Sequence, residues 1–229
     1  MTMDNELINR LLKRRSIIIC LNGDNFSGEF IKNLMDVIAY VHHRDGRISI
    51  THHSNPMHNE SLNKLLVGNV THGPDQYLFG DLYHDYILWI DSSVSSFKGE
   101  DFGRLIEMNT GVASGWHTER GGNTSVVEKT DQKFFQRWGV RNTVSLEEME
   151  QKEDVFTAEF IDLGFCLMQE HVMKTLKYPW FKPRMIEVAP GHEDMSSATE
   201  ALCMDLRDQD FLIKVNPKVR VGVERRLVL

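Results

Sequence analysis

The chain has 229 residues, 41% of them hydrophobic and 26% charged, with a formal net charge of −7. A chain of this length buries one substantial hydrophobic core, and its acidic balance excludes a protein that coats nucleic acid non-specifically, because that binding depends on many Lys and Arg contacts to phosphate. No apolar run approaches the roughly 18 residues that cross a bilayer, and MTMDNELINRLLKRR at the start lacks the apolar segment of a signal peptide, so a soluble, cytoplasmic protein with no membrane partner is the expectation.

Cys20, Cys166 and Cys203 lie far apart inside apolar stretches. That is neither a disulfide framework nor a zinc spacing, and all three read as small core residues. Basic residues cluster at Lys13, Arg14 and Arg15, between residues 174 and 184, and at Arg220 with Arg225 and Arg226. Solvated surface is the ordinary reading of such clusters.

Residues 1–15 alternate charge with Leu and Ile, as an N-terminal helix does. SIIICLNG, residues 16–23, is a β-branched run stopped by Asn-Gly, the pattern of a buried strand entering a loop. Helix caps follow at residues 24–27, and Phe30, Leu34, Val37, Ile38 and Val41 recur at helical spacing. RDGR turns the chain into a second strand, ISIT at residues 48–51, and the polar loop HHSNPMHNES leads into SLNKLLV, residues 61–67, another helix. After Gly73-Pro74 comes YILWID, residues 86–91, a buried strand that ends in a carboxylate and is followed by Ser92 and Ser93.

Further on, residues 99–108 read as a helix and GVASGWH, residues 111–117, as a strand with a glycine break. Residues 118–154 are polar, Gly-rich and charge-rich around an aromatic island at Phe134, Phe135 and Trp138; a mobile insertion or lid and an ordinary surface excursion are both open. EFIDLGFCLMQ, residues 159–169, resumes the buried pattern, HVMKTL is helical, and YPWFKP ends it with two prolines. GHEDMSSATEALCMDLRDQDF is an acidic loop running into an amphipathic helix, and FLIKVNPKVRVGV closes the chain as a strand pair.

Strand, helix, strand, helix, strand at this spacing predicts an α/β fold: a mostly parallel twisted sheet flanked by helices, because parallel neighbours need long crossovers. In such sheets ligands bind at the carboxyl ends of the strands. Those ends are Leu21, Asn22 and Gly23, residues 51–54, and Asp91, Ser92 and Ser93.

The ordered combination YILWIDSS, VSSFKGEDFGRLIEM, GVASGWH, EFIDLGFCLMQEHVMKTLKYPWF, GHED and DFLIKVNPKVRVG resembles nucleotide-sugar-dependent glycosyltransferases of the GT-A fold, most of all compact bacterial and bacteriophage members. It spans residues 16–222 and implies a single domain over residues 1–229. It also implies a nucleoside-diphosphate sugar donor, such as a UDP-sugar, and a divalent cation, manganese or magnesium, held by carboxylates to offset charge on the departing diphosphate. Asp91 matches the first acid of the family's Asp-x-Asp and Ser93 the second, which makes these two the metal-site residues. The family's late histidine is Val223 here. With two expected ligands replaced, two arrangements stay open: an ion held mainly by Asp91 and the diphosphate, or basic side chains in its place.

By the same resemblance Leu21, Asn22, Gly23, Thr51, His52, Ser54, Asp91, Ser92 and Ser93 line the donor pocket. Trp116, His117, Asp162 and Gly164 flank the donor sugar and the acceptor, Trp116 as a stacking platform and Asp162 as a partner for sugar hydroxyls. An inverting transfer needs a carboxylate to deprotonate the acceptor hydroxyl. Asp194 of His192-Glu193-Asp194 matches that base, with Glu193 beside it. The stretch from Asp194 to Phe211 is longer than the family's by about one helical turn, so Glu200 is the reserve.

Each motif has a plain alternative. Asp91 can cap a turn, Asn22-Gly23 can be a simple turn, and Glu193 with Asp194 can complement a helix dipole. Trp180 reads as a core aromatic. His52, His53 and His58 suggest zinc, but adjacent histidines in an extended chain point to opposite sides and nothing completes a tetrahedral set; donor recognition or surface fits better.

For the acceptor, the phage resemblance implies a hydroxymethylated pyrimidine in DNA, with the basic clusters gripping the duplex; saccharide and protein acceptors stay open. A nucleotidyltransferase and a non-catalytic nucleotide- or sugar-binding module are the competing readings. The first usually carries a basic Gly-rich loop after its first strand, whereas LNGDNFSG has no Lys or Arg.

Overall fold

The computed structural model describes residues 3–55 and 57–224. Helix α1 (Asn5–Leu12) starts where the Asp4 carboxylate accepts the N–H groups of Glu6 and Leu7, both at 3.0 Å, and it buries Ile8 and Leu12. Such a cap satisfies donors that a helix leaves unpaired. Strand β1 (Ser16–Asn22) is buried from Ile17 through Leu21. Helix α2 (Gly28–His42), capped by Ser27, turns Phe30, Leu34, Val37 and Val41 inward at the expected spacing. Strand β2 (Arg47–His53), helix α3 (His58–Leu65) and strand β3 (Tyr86–Asp91) follow in order.

The second half is built from β4 (Val94–Ser96), α4 (Gly99–Glu107), β5 (Val112–Trp116), β6 (Val126–Val127), α5 (Gln132–Trp138) and α6 (Leu146–Gln151). After them come β7 (Phe156–Ala158), β8 (Phe160–Ile161), β9 (Phe165–Gln169), α7 (Glu170–Lys174), β10 (Met185–Ala189), β11 (His192–Met195), α8 (Ala198–Asp208), β12 (Ile213–Arg220) and β13 (Gly222–Val223). One seven-stranded sheet runs β2-β1-β3-β9-β5-β12-β7. Strands β2, β1, β3, β5 and β12 share a direction, and β9 and β7 oppose them, which gives a mostly parallel α/β sheet.

Alternation along the strands feeds two cores. Ile17, Ile19 and Leu21 of β1 and Leu88 and Ile90 of β3 pack with α1, α2 and α4. Ile18 and Cys20, with Ile87 and Trp89, pack beneath Leu62 and Leu65 of α3 and against Trp180 and Phe181. Because side chains alternate with period two, Asn22 and Asp91 fall on the α3 side of the sheet.

The structure differs from the sequence reading at the HEDM segment and at the closing stretch, where β12 pairs with β5 and β7 and β13 pairs with β4, rather than the two with each other. Strand β9 enters the sheet antiparallel between β3 and β5. The HEDM segment is not a loop at a helix start but strand β11, paired antiparallel with β10 and exposed along its length. Residues 118–154 are anchored by buried Val126, Val127, Phe135, Val144 and Met149. The three cysteines are free and buried, and burial lifts each thiol pKa, that of Cys203 to about 12. Among the described residues no helix is long and apolar enough to cross a membrane.

Candidate functional site

Asn22 and Asp91 end β1 and β3 side by side in register. The Asn22 amide is fixed at both ends: its Oδ1 accepts the Ser61 hydroxyl at 3.0 Å, and its Nδ2 donates to Asp91 Oδ2 at 3.1 Å. Asp91 Oδ1 accepts the N–H of Ser93 at 2.9 Å. The turn-capping role of this acid is therefore real, and it leaves each carboxylate oxygen a further lone pair. Ser92 donates its N–H to the Asn22 carbonyl at 2.8 Å, closing the two strand ends on each other. Gly23 adopts φ +123° there, and a Cβ on it would lie 1.9 Å from Ser92 Oγ. Only glycine takes that backbone angle without strain.

A second set of groups comes from β5 and from the loop between β8 and β9. His117 is buried, and its Nε2 lies 3.8 Å from Asp162 Oδ2. A Cβ on Gly164 would be 3.2 Å from the His117 ring, so a small residue leaves room for the imidazole. The Gly164 carbonyl accepts the N–H of Asp91 at 3.1 Å, which ties this loop to β3. Asp162, Asp91, Asn22, His58 and Trp89 line one narrow cleft. Although 46% of the Asp162 side chain still meets solvent, its pKa stands above the ordinary carboxylate value. Loss of water raises it most, His117 pulls it down, and the charge of Asp91 raises it again.

The structure thus gathers Asn22, Gly23, Asp91, Ser92, Ser93, His117, Asp162 and Gly164 around one sheet edge. It adds Trp89, to which the sequence reading gave no place in the site, and His58, for which donor recognition and plain surface were both open. His58 lies one helical turn before Ser61 and Leu62 on α3, at i+3 and i+4, and that spacing was the available signal.

Other predicted residues hold structure. Leu21 is core. Thr51 donates its hydroxyl to the Leu65 carbonyl at 3.2 Å, and the His52 ring bonds the Gly23 carbonyl at 2.7 Å. Ser54 donates to Asp24. Trp116 is 2% exposed and its indole N–H donates to the Pro217 carbonyl at 2.8 Å, so it offers no open face to a sugar. Glu193 and Asp194 are exposed on β11, and Asp194 Oδ1 accepts the N–H of Met195.

Glu200 completes the capping box of α8 with Ser197 and pairs with Arg141 at 3.1 Å. Arg141 in turn stacks 3.9 Å above the Phe160 ring. Asp194→Ala is expected to remove turnover while donor binding persists, whereas Glu200→Ala should cost about 1–2 kcal/mol of stability through the lost cap and ion pair. Nucleotide titration and denaturant melts of the two variants separate the roles.

Among the described residues no three His, Cys, Asp or Glu side chains lie close enough together to hold a metal. Magnesium and manganese sites that share substrate phosphates need only one or two carboxylates. Asp91 and Asp162 are the two carboxylates that line the narrow cleft.

Several residues of the basic clusters are held in ion pairs, although Lys13, Arg14 and Lys182 form none among the described residues. Lys174 pairs with Glu170, Lys177 with Asp75, Arg184 with Asp205 and Asp208, and Arg220 with Glu150. Arg225 and Arg226 lie outside the described residues. A wider cleft of about 680 Å³ opens at the other end of the sheet, beside Ile213, and carries the Lys152–Glu128 and Arg207–Glu159 pairs.

No family model and no curated protein matches the chain. Solved structures do. Glucosyl-3-phosphoglycerate synthase from Mycobacterium tuberculosis, in complex with Mn2+, UDP-glucose and phosphoglyceric acid, aligns over 100% of this chain and 78% of its own, with a TM-score of 0.51 at 12% identity. Mannosyl-3-phosphoglycerate synthase from Rubrobacter xylanophilus aligns over 93% and 68%, with a TM-score of 0.42 at 12% identity. A 4-diphosphocytidyl-2C-methyl-D-erythritol synthase from Anaerococcus prevotii covers 95% and 90%, with a TM-score of 0.44, also at 12% identity. The first of these likenesses establishes a GT-A-like fold for the chain.

Proposed function

We propose that the chain is a glycosyltransferase that moves a sugar from a nucleoside-diphosphate sugar to an acceptor hydroxyl. The observation that carries the reading is the meeting of Asn22, Asp91, His117 and Asp162 at the carboxyl edge of a GT-A-like sheet, where α/β folds bind their ligands. The likeness to an enzyme solved with Mn2+ and UDP-glucose supports the donor class.

In this reading Asn22 and the Gly23 backbone border the nucleotide, and the Asn22 amide holds Asp91 in one rotamer. Asp91 and its neighbour Ser93 face the diphosphate. A divalent cation, when bound, supplies positive charge where the diphosphate gains negative charge. His117 orients Asp162 toward the sugar side of the cleft. Asp194 and Glu193 on β11 are the acceptor-side acids, Asp194 as the base. The acceptor is a hydroxyl compound; a hydroxymethylated DNA base stays within that class, although the paired basic residues give it no separate support.

The test is a panel of UDP-, GDP-, ADP- and CDP-sugars, hexoses and pentoses, with manganese or a chelator, scored for nucleoside-diphosphate release. Acceptor arms are phosphoglyceric acid, simple saccharides, and hydroxymethylated against plain DNA. Release with one donor is the expected result. Tight nucleotide binding with no release from any donor would leave a binding module instead.

A further inference from the structure

We infer that the outer edge of β2, with the apolar flank of α2 beside it, is an interface at which a second copy of this chain adds its own β2 antiparallel and continues the sheet across a two-fold axis. The proposal stands apart from the donor-site reading and does not depend on it.

The two edges of the seven-stranded sheet are built differently. Strand β7 closes one edge with three residues, and a short strand is one way in which proteins blunt an edge. Strand β2 closes the other with seven residues in unbroken register with β1. Beyond Arg47 at its start it carries no proline, lysine or acid and no bulge, so the N–H and C=O groups on its outer side lack the usual protection against pairing.

The flank beside that edge is apolar. Ile48, Ile50 and His52 alternate onto the α2 side of the sheet, and Ile50 is 48% exposed. On α2, Ile31, Met35 and Ile38 recur at i, i+4 and i+7, which is one face of a helix, and Ile31 and Met35 are 48% and 57% exposed. The opposite flank of α2 is already covered: Asn33 donates to the Ser95 carbonyl, and Tyr40 packs on Gly99 and Gly103 of α4. Ile38 meets the same core as Ile48, so the free flank of α2 adjoins the β2 edge and widens the strip that Ile50 begins.

Charge identifies the partner. Arg47 opens β2, and Arg14 lies beside it, since the neighbouring Arg15 carbonyl accepts the Arg47 N–H at 2.8 Å. At the far end, Asp24 accepts the Ser54 hydroxyl and Glu60 accepts the Asn55 amide at 3.2 Å. Among the described residues none of these four charges has an ion-pair partner. An antiparallel second copy reverses the strand, so the basic start of each β2 meets the acidic end of the other, twice over. With Ile50 at the centre, Arg47 stands opposite His53 of the second copy, which brings it to the Asn55 and Glu60 end on the α3 side of the sheet. A patch that is complementary to itself in this way is what a two-fold interface requires.

The test is sedimentation velocity of the full chain over a range of micromolar concentrations, where a dimer that dissociates on dilution is expected. Ile50→Lys sets two like charges face to face and should raise the dissociation constant by about thirtyfold or more. Arg47→Glu should raise it by about fivefold, and adding Glu60→Arg should restore it. The three native cysteines are buried, so Ile50→Cys supplies the exposed thiol, and mild oxidation should yield a covalent dimer because facing residues of antiparallel strands lie within disulfide reach. A chain that is monomeric at every concentration overturns the proposal. So does a dimer indifferent to Ile50→Lys, a dimer that Ile50→Cys does not cross-link, or a charge exchange that fails to restore association. If Ile50→Lys fails to fold, the cross-link and the charge exchange decide.

Discussion

Asp91→Asn should lower turnover by about 10²–10³-fold while the melting temperature moves by no more than about 2–4 °C. The substitution keeps size and shape and removes one negative charge. Of the two hydrogen bonds that Asp91 accepts, from Ser93 N–H and from Asn22 Nδ2, an asparagine keeps one through its single oxygen and turns its own NH2 toward the other donor. Reversing the Asn22 amide would keep both bonds only if the Ser61 hydroxyl, which also lies 3.2 Å from the His53 carbonyl, turned to donate there instead. The structural loss is then one modest hydrogen bond, about 1 kcal/mol. In the proposed reading the chemical loss is larger, since the charge that would hold a cation against the diphosphate is gone. Parent-like turnover in the variant would show that Asp91 only caps its turn. Loss of turnover together with a collapse in melting temperature would assign it to the fold.

Much of the sheet was legible in the sequence because burial writes itself into composition. SIIICLN and YILWID are continuous apolar runs, and continuous runs belong to strands covered on both faces. The α2 helix was legible from its spacing of Phe30, Leu34, Val37 and Val41. Strand β11 was not, because HEDM is exposed throughout and carries no alternation to read. Nor was the direction of β9: FCLMQ is as apolar as its parallel neighbours, and only the pairing with β3 and β5 shows that it runs the other way.

The candidate site was legible where its residues end predicted strands, and less so where it depends on loops meeting in space. Asn22 and Asp91 are ends of predicted strands, so a parallel sheet brings them together. Asp162 was named from the resemblance alone, because it follows a two-residue strand that no pattern announces, and its approach to His117 shows only in the structure. Glu200 was the reserve catalytic acid, and a Ser followed three residues later by Glu is also a capping box, which the structure shows at α8.

Trp116 gives the sharpest contrast between a residue's type and its role. Trp116→Ala is expected to destabilise the chain by about 3–5 kcal/mol, a large share of the roughly 5–15 kcal/mol of a native domain. The ring is 2% exposed in the core that also holds Cys166, Phe160 and Leu163, and removing it leaves a void that rigid strand neighbours cannot fill. Its indole N–H is the donor to the Pro217 carbonyl, and Arg220 stands 5.2 Å over its face while bonding Glu150. Trp116→Phe should recover most of the lost stability, short of the hydrogen bond to Pro217, about 1 kcal/mol. Denaturant titrations of the three proteins measure both differences. A sugar-stacking platform would behave in the opposite way: stability would hold in Trp116→Ala, and nucleotide-sugar affinity would fall relative to the free nucleotide. Burial on both faces opposes that outcome, and a stability loss confined to within about 1 kcal/mol would mean that the ring is not a core residue.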